Sequence, residues 1–320
     1  MRALPTIIAM RIGIALPQRG DFVDPQAIKT FAQQAEAHGF DCLWVHERLF
    51  APFHENRIGG GANDLSPWEL MTFAAASTNT IRIGSSVIII GYYEPLMLAK
   101  KAATLDVLSG GRLNLGLGLG LSKEEYIQSK VDFHTRGRRS AEFIHALRAC
   151  WKDDPISFEG EFFNIPEAST SPKPIQRDAD GNPCIPIIGG FSSEPGKKRT
   201  AELCEAWQSA GKDLETALSA HHENNRYAAE EFGKPPLKLY WRCWVIPPFT
   251  DRQPPPQTGP RVVPFWHGSI EEICDKVVEA REGGVDELII DTNWFAGDGS
   301  DDHWERQPEA LAPLVEAAHG

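Results

Sequence analysis

The chain has 320 residues, of which 42% are hydrophobic and 24% charged, and its formal net charge is −12. This composition is ordinary for a globular protein and excludes a disordered or fibrous chain, and no apolar run approaches the ~20 residues that span a bilayer. The acidic balance repels a phosphate backbone, and the basic clusters at 136–139 and 197–199 are short, which argues against nucleic acid as a partner.

Residues 1–9 are too short for a secretory signal and read as a loose extension ahead of Met10. The six cysteines are scattered without a C-x-x-C pair, the pattern of buried free thiols in a reducing compartment, so a cytoplasmic location is expected. Arg11–Leu16 reads as the first strand. A helix follows, with Asp24 as N-cap, Pro25 at its first position and Gly39 beyond its end. The second strand is 42–46. Ser66 and Glu69 bracket Pro67 and Trp68 as a capping box and open the next helix. The β-branched run 81–90 predicts one long buried strand. Apolar residues at Leu98, Ala102 and Leu105 predict a helix over 95–108, stopped by Gly110-Gly111.

Residues 112–118 form the fourth predicted strand, followed by a long excursion over 119–184. Within it, Ser122 and Glu125 make a second capping box, 139–151 is helical, and 157–163 reads as a hairpin around Glu159-Gly160. Strands five to eight are predicted at 185–188, 204–209, 239–246 and 287–291. Helices are predicted at 214–231, 270–282 and 308–318. Eight strands alternating with helices predict an α/β fold, a (β/α)8 TIM barrel with a long insertion between strands four and five, in one domain spanning 1–320. The rival doubly wound sheet needs a phosphate-binding turn after strand one, and Pro17-Gln18-Arg19-Gly20 does not supply it. The segment 247–268 is proline-rich, with seven prolines between Pro247 and Pro264, and is longer than an ordinary loop of this fold.

Catalytic groups of such barrels lie at the C-terminal strand ends. Strand two ends in His46-Glu47. Adjacent residues point oppositely, so at most one of the two faces the mouth; either is a candidate acid or base. Tyr92 and Tyr93 follow strand three, where they could wall a flat ligand. Gly116, Gly118 and Gly120 alternate through the end of strand four, letting a ligand approach the backbone closely or strand and helix pack tightly. Gly189, Gly190, Ser192 and Ser193 follow strand five and, with Lys197-Lys198-Arg199 close behind, form the best candidate phosphate seat in the chain. No metal is expected: the histidines show no ligand spacing, and His221-His222 face apart on a helix. No G-x-S-x-G elbow is present.

The run Leu105-Asp106-Val107-Leu108-Ser109-Gly110-Gly111-Arg112-Leu113-Asn114-Leu115-Gly116-Leu117-Gly118-Leu119-Gly120 resembles the bacterial luciferase-like monooxygenase and flavin- or F420-dependent oxidoreductase superfamily. Gly137-Arg138-Arg139, the segment 154–163, Pro172-Lys173-Pro174-Ile175-Gln176 and Pro186-Ile187-Ile188-Gly189-Gly190 match it too. Leu43-Trp44-Val45 with Glu47-Arg48-Leu49, and Thr72-Phe73-Ala74-Ala75-Ala76, resemble its actinobacterial F420-dependent subgroup. The resemblance implies a cofactor ring in the barrel mouth, backed by a non-prolyl cis peptide at Ser86–Val87. It also implies a phosphate or tail along Gly118–Gly120 and Gly189, Gly190 and Ser192, and a homodimer. Two departures count against sugar-phosphate oxidation: Glu47-Arg48 stands where that branch has Asp-His, and Leu121 stands where it has Glu.

The expected activity is an F420-dependent oxidoreductase acting on a small organic substrate, with Glu47 or His46 handling the proton and Tyr92, Trp266 and His267 shaping the substrate pocket. The alternatives are an FMN-dependent monooxygenase using reduced flavin and oxygen, and a flavin-binding protein without turnover.

Overall fold

The computed structural model describes residues 9–19, 24–50, 64–254, 263–293 and 304–320. The chain runs β1 (Arg11–Ala15), α1 (Pro25–Ala37), β2 (Cys42–Val45), α2 (Pro67–Ser77), β3 (Arg82–Ser85), β4 (Ile88–Ile89), α3 (Pro95–Leu108) and β5 (Leu113–Gly118). An excursion follows through α4 (Lys123–Ser129), α5 (Arg136–Trp151) and the antiparallel hairpin β6 (Ile156–Glu159) and β7 (Asn164–Ala168). The alternation resumes with β8 (Ile187–Gly189), α6 (Glu194–Leu203), β9 (Ala206–Ala210), α7 (Leu214–Phe232), β10 (Lys238–Val245) and β11 (Phe265–Trp266). It ends with α8 (Ile270–Glu282), β12 (Glu287–Asp291), α9 (Gln307–Ala310) and α10 (Pro313–His319).

Eight parallel strands close in the order β12, β1, β2, β3, β5, β8, β9, β10 and back to β12. The fold is the expected α/β barrel, with the hairpin sheet inserted between its fourth and fifth strands. β4 and β11 are short additions at the C-terminal rim, on β5 and β10. Alternation sorts the side chains into two cores. Cys42, Trp44, Ile188, Ala206, Tyr240 and Ile289 fill the barrel interior. The much larger cluster lies between strands and helices, with Ile12, Ile14, Leu43, Val45, Leu115, Ile187, Trp241 and Ile290 facing Phe31, Met71, Leu98, Ile144 and Ile273.

Several expectations change in detail. The run 81–90 is two strands, because the chain bulges out of the ladder at Ser86 and Val87, where the peptide is cis. The basic cluster at 197–199 lies within α6, which is capped by Ser193 accepting from Gly196 N at 3.3 Å. The final helix is broken between α9 and α10 where Pro313 starts a new helix. Neither of the two expected capping boxes closes in both directions, whereas Ser269 and Glu272 at the start of α8 do so. Ser66 makes no backbone cap. Ser122 caps α4, but the Glu125 carboxylate turns to Leu49 N at 2.8 Å and Arg48 at 3.4 Å, pinning the loop after β2. All six cysteines are free. The extension at 1–9 and the proline-rich loop at 247–268 lie in part outside the described residues.

Candidate active site

The interior cluster of the barrel is built around Trp44. Trp44 points inward from β2, 1% exposed, and donates from Nε1 to Glu287 Oε1 at 3.0 Å. Two glycines make its room: a Cβ at Gly13 would lie 2.3 Å from Trp44 Nε1, and one at Gly84 would lie 2.4 Å from its Cζ3. Tyr240 meets the indole edge-on at 5.9 Å. Glu287 is fully buried, and burial pushes its carboxyl up to about 7, against the pull of Arg11 at 3.0 Å. Arg11 also donates to the Tyr240 hydroxyl. On this floor the charges face one another.

The mouth above it is ringed by polar groups from five strand ends. From β10, Arg242 donates from Nε and Nη2 to Asp291 Oδ2 on β12 at 3.0 and 2.5 Å, and from Nη1 to the Ser86 carbonyl and to Ser86 Oγ. Asp291 Oδ1 accepts from Asn293 N and Nδ2 at 2.9 and 3.2 Å. Asn293 Nδ2 also reaches Leu16 O at 3.0 Å, and its Oδ1 accepts from Gln18 N at 3.1 Å. Gln18 then clasps the end of β2: His46 N donates to its Oε1 at 2.8 Å, and its Nε2 donates to His46 O at 2.6 Å. At the far end His46 Nε2 meets Asp64 Oδ2 at 3.0 Å, and Arg19 Nε donates to Asp64 Oδ1 at 2.7 Å.

This belt leaves one ring nitrogen open. His46 Nδ1 is buried without a partner, while Nε2 pairs with Asp64. Burial lowers the imidazole pKa below its ordinary value, and the positive charges of Arg242 and Arg19 lower it further, against the raising effect of Asp64. Burial works against ionisation of Asp64, but hydrogen bonds from His46 and Arg19 hold its carboxyl well below the usual range. The ring is therefore neutral near pH 7, with Nε2–H given to the carboxylate and Nδ1 a bare acceptor.

The other sequence candidates separate. Glu47 is turned away from the barrel axis, which corrects its reading as a mouth acid: Ile89 N donates to its Oε2 at 2.7 Å and the Tyr93 hydroxyl to its Oε1. Burial pushes this carboxyl up to about 7, and it secures the strand just beyond the bulge. Ser86 and Val87 form the bulge, as expected. Gly118 and Gly190 are spent on that bulge, since a Cβ at either would meet Val87 at 2.4 and 2.8 Å. Gly189 faces α6, its Cβ position blocked by Thr200 Oγ1 at 2.6 Å. Gly120, at φ +67°, turns the chain into α4, and Ser192 is exposed in the loop after β8. Tyr92 packs edge-on against Tyr126 at 6.0 Å, its hydroxyl buried and unpartnered.

Trp266 is a correction as well. In register with Val245 on β10, it meets Trp241 edge-on at 5.5 Å in the outer core, away from the mouth; its neighbour Phe265 approaches Trp244 instead. His267 is exposed. In the expected phosphate cluster, Lys197 pairs with Glu194 at 2.7 Å and with Glu223, and Lys198 pairs with Glu231 at 2.6 Å. Arg199 makes no ion pair among the described residues. It lies over Phe191, and a Cβ at Gly137, near the start of α5, would stand 3.9 Å from its Nη2.

Sequence reasoning missed Arg242, Asp291, Asn293, Gln18 and Asp64. It also missed Gln208, on the interior phase of β9, whose Oε1 is buried without a partner. An unpaired buried polar atom costs about 1–3 kcal/mol, and two of them, His46 Nδ1 and Gln208 Oε1, belong to interior-facing residues of β2 and β9. With Val87 as an apolar platform, these residues fit a flat cofactor ring that carries hydrogen-bonding groups. Among the described residues no cluster of His, Cys, Asp and Glu has the makings of a metal site, and no helix is long and apolar enough to cross a membrane.

The luciferase-like monooxygenase family model matches residues 10–253. An uncharacterized protein of Mycobacterium tuberculosis (strain ATCC 25618 / H37Rv) is 29% identical over 96% of this chain and the whole of the relative. An F420-dependent glucose-6-phosphate dehydrogenase of Amycolatopsis mediterranei (strain U-32) is 32% identical over 54% of this chain and 52% of its own. Among solved structures, an F420-dependent secondary alcohol dehydrogenase in complex with an F420-acetone adduct superposes with TM-score 0.78 at 17% identity, covering 98% of this chain and 100% of that one. A monooxygenase from Streptomyces bottropensis reaches TM-score 0.74 at 20% identity, covering 95% and 98%. At these identities the structural likeness speaks for the fold.

Proposed function

The chain belongs to the luciferase-like monooxygenase family, whose members are F420- or FMN-dependent oxidoreductases, and from that premise we propose that it is an F420-dependent oxidoreductase of a small organic substrate, with His46 as the group that moves the proton. The observation that carries the reading is His46 itself, a neutral imidazole fixed at one nitrogen by Asp64 and open at the other, at the lip of the barrel.

The deazaflavin, when bound, supplies hydride donor and acceptor chemistry at a ring carbon. Ser86, Val87 and Gln208 would hold the ring, Val87 backing one face. Arg199, over the Phe191 ring next to Gly190 and without an ion pair among the described residues, would suit a phosphate followed by an acidic tail. His46 Nδ1 accepts the proton of a substrate hydroxyl as the adjacent carbon is oxidised, or returns it to the oxygen in the reverse direction. Asp64 keeps the proton of Nε2 in place and stabilises the imidazolium formed. A general base held this way contributes about 10²–10⁴ in rate. The closed floor beneath the ring leaves only the mouth for substrate entry.

The FMN reading shares the ring seat, and the monooxygenase among the similar structures keeps it in view. Equilibrium titration of the apoprotein with F420 and with FMN, read by fluorescence, separates the two. Micromolar or tighter F420 with much weaker FMN is the expected result. The reverse preference moves the assignment to an oxygen-using flavin enzyme, and binding of neither overturns both.

A further inference from the structure

A buried guanidinium is costly to desolvate and persists where its partners are well placed. Arg242, 9% exposed, has partners on two strands that do not adjoin each other. Asp291 is on β12, next to β10 in the barrel. Ser86 is not. In the order β12, β1, β2, β3, β5, β8, β9, β10, the strand β3 stands four places from β10 in either direction. Arg242 therefore crosses the full width of the barrel to reach the carbonyl and hydroxyl of the bulge. Were it needed only to join neighbouring strands, the pair with Asp291 would suffice.

The second feature is what hangs on Asp291. Its free oxygen leads through Asn293 and Gln18 to the backbone of His46 by an unbroken series of hydrogen bonds. The ring seat on β3 and the proton-handling group on β2 are thus tied to the same guanidinium. We propose that Arg242 is a positioning residue, a cross-brace that sets the place of the Ser86–Val87 seat and, through Asp291, Asn293 and Gln18, the place of His46. This deepens the functional reading above and rests on it.

The charged groups facing His46 are Asp64 and Arg19 from the loops beyond β2 and β1, Arg242 from β10 and Asp291 from β12. Removing the Arg242 charge leaves Asp291 unopposed, and both changes favour the imidazolium, so His46 then titrates at higher pH. A purely structural role would lower the melting temperature and leave that titration where it was.

The test compares wild type, Arg242→Gln and Arg242→Lys on the full chain. The histidine resonances are titrated by NMR without cofactor, and F420 binding is then read by fluorescence. Arg242→Gln is expected to raise the pH at which His46 titrates and to weaken F420 about tenfold or more. Arg242→Lys keeps the charge but cannot reach both partners at once. It is expected to leave the titration near wild type and still weaken binding. Wild-type binding and titration in Arg242→Gln overturn the proposal; should that variant not fold, wild-type affinity in Arg242→Lys does so. If wild type itself binds no F420, the functional reading fails. The Ser86 and Val87 amide resonances of Arg242→Lys, in which the charge is kept, then decide: displaced from wild type they support the cross-brace, unchanged they overturn it.

Discussion

The floor and the mouth of this barrel are both polar and both buried, yet they are built to different ends. On the floor Trp44 fills the room that Gly13 and Gly84 vacate, and Glu287 faces Arg11, Tyr240 being a second partner of that arginine. The mouth has more charged groups, Arg242 with Asp291 and Arg19 with Asp64, but His46 Nδ1 and Gln208 Oε1 are left without partners. Buried polar groups are almost always satisfied; on the floor Glu287 Oε2, without a hydrogen bond, still faces Arg11 at 3.0 Å, whereas the two acceptors at the mouth face no charged partner and mark the end that meets a ligand. The difference teaches that burial or charge alone does not identify the site; the unspent hydrogen-bonding capacity does.

The largest effect is expected at the floor. Gly84→Ala puts a methyl 2.4 Å from the Trp44 ring, which its neighbours confine. Overpacking of this kind is expected to cost about 3 kcal/mol or more, read by urea unfolding, and Trp44→Phe in the same chain should restore part of it. A Gly84→Ala protein as stable as wild type would mean the floor is not packed as described.

At the mouth the same size of change should touch activity and spare stability. His46→Asn is expected to lower kcat by about 10²–10⁴, with a melting temperature within a few degrees of wild type. Equal losses of stability and rate would place His46 with the floor residues. Asp64→Asn should cost less, roughly tenfold to a hundredfold, the size typical of a partner that orients a functional histidine.

Glu47 gives the smallest effect, and it is one of pH. Burial holds its carboxyl at about 7 in the folded chain, against an ordinary value of 4.5. The unfolded chain therefore gives up this proton first. Stability from Glu47 is complete below about pH 4.5 and is lost as pH rises toward 7. Glu47→Gln removes that loss, so the variant should gain on wild type as pH rises from 5 to 8. A difference that is flat with pH would show that Glu47 is not buried behind the bulge.

Much of this was legible in the sequence. The eight strands, the inserted hairpin and the bulge at Ser86–Val87 were all expected, because runs of β-branched residues, glycine stops and family motifs are local signals. His46 and Glu47 were both candidates, and strand alternation said that only one faces the mouth; it took the structure to choose His46. The glycines were visible, but their purpose was not: Gly118 and Gly190 make room for Val87, a contact between residues far apart in the chain. Arg242 stayed hidden inside Lys238–Val245, which reads simply as a strand. Its signal was available in phase, since Tyr240, Arg242 and Trp244 share one face and a charge on that face of a central strand needs a buried partner. Asp291 shares a face with Glu287 and Ile289 in the same way. Trp266 was misplaced because the pairing of β11 with β10, which sets its direction, cannot be read from two aromatic residues in a proline-rich stretch.

The central claim is that the mouth above Val87, and not any other cleft, receives a deazaflavin ring within reach of His46. A crystal structure of the protein grown with oxidised F420 tests it most directly. The account predicts ring density lying against Ser86–Val87, bounded by Gln208, with the phosphate toward Arg199 and an open space between the ring and His46 Nδ1. Ring density anywhere else on the chain, or a ring held with His46 on its far side and out of reach of any substrate, would contradict it.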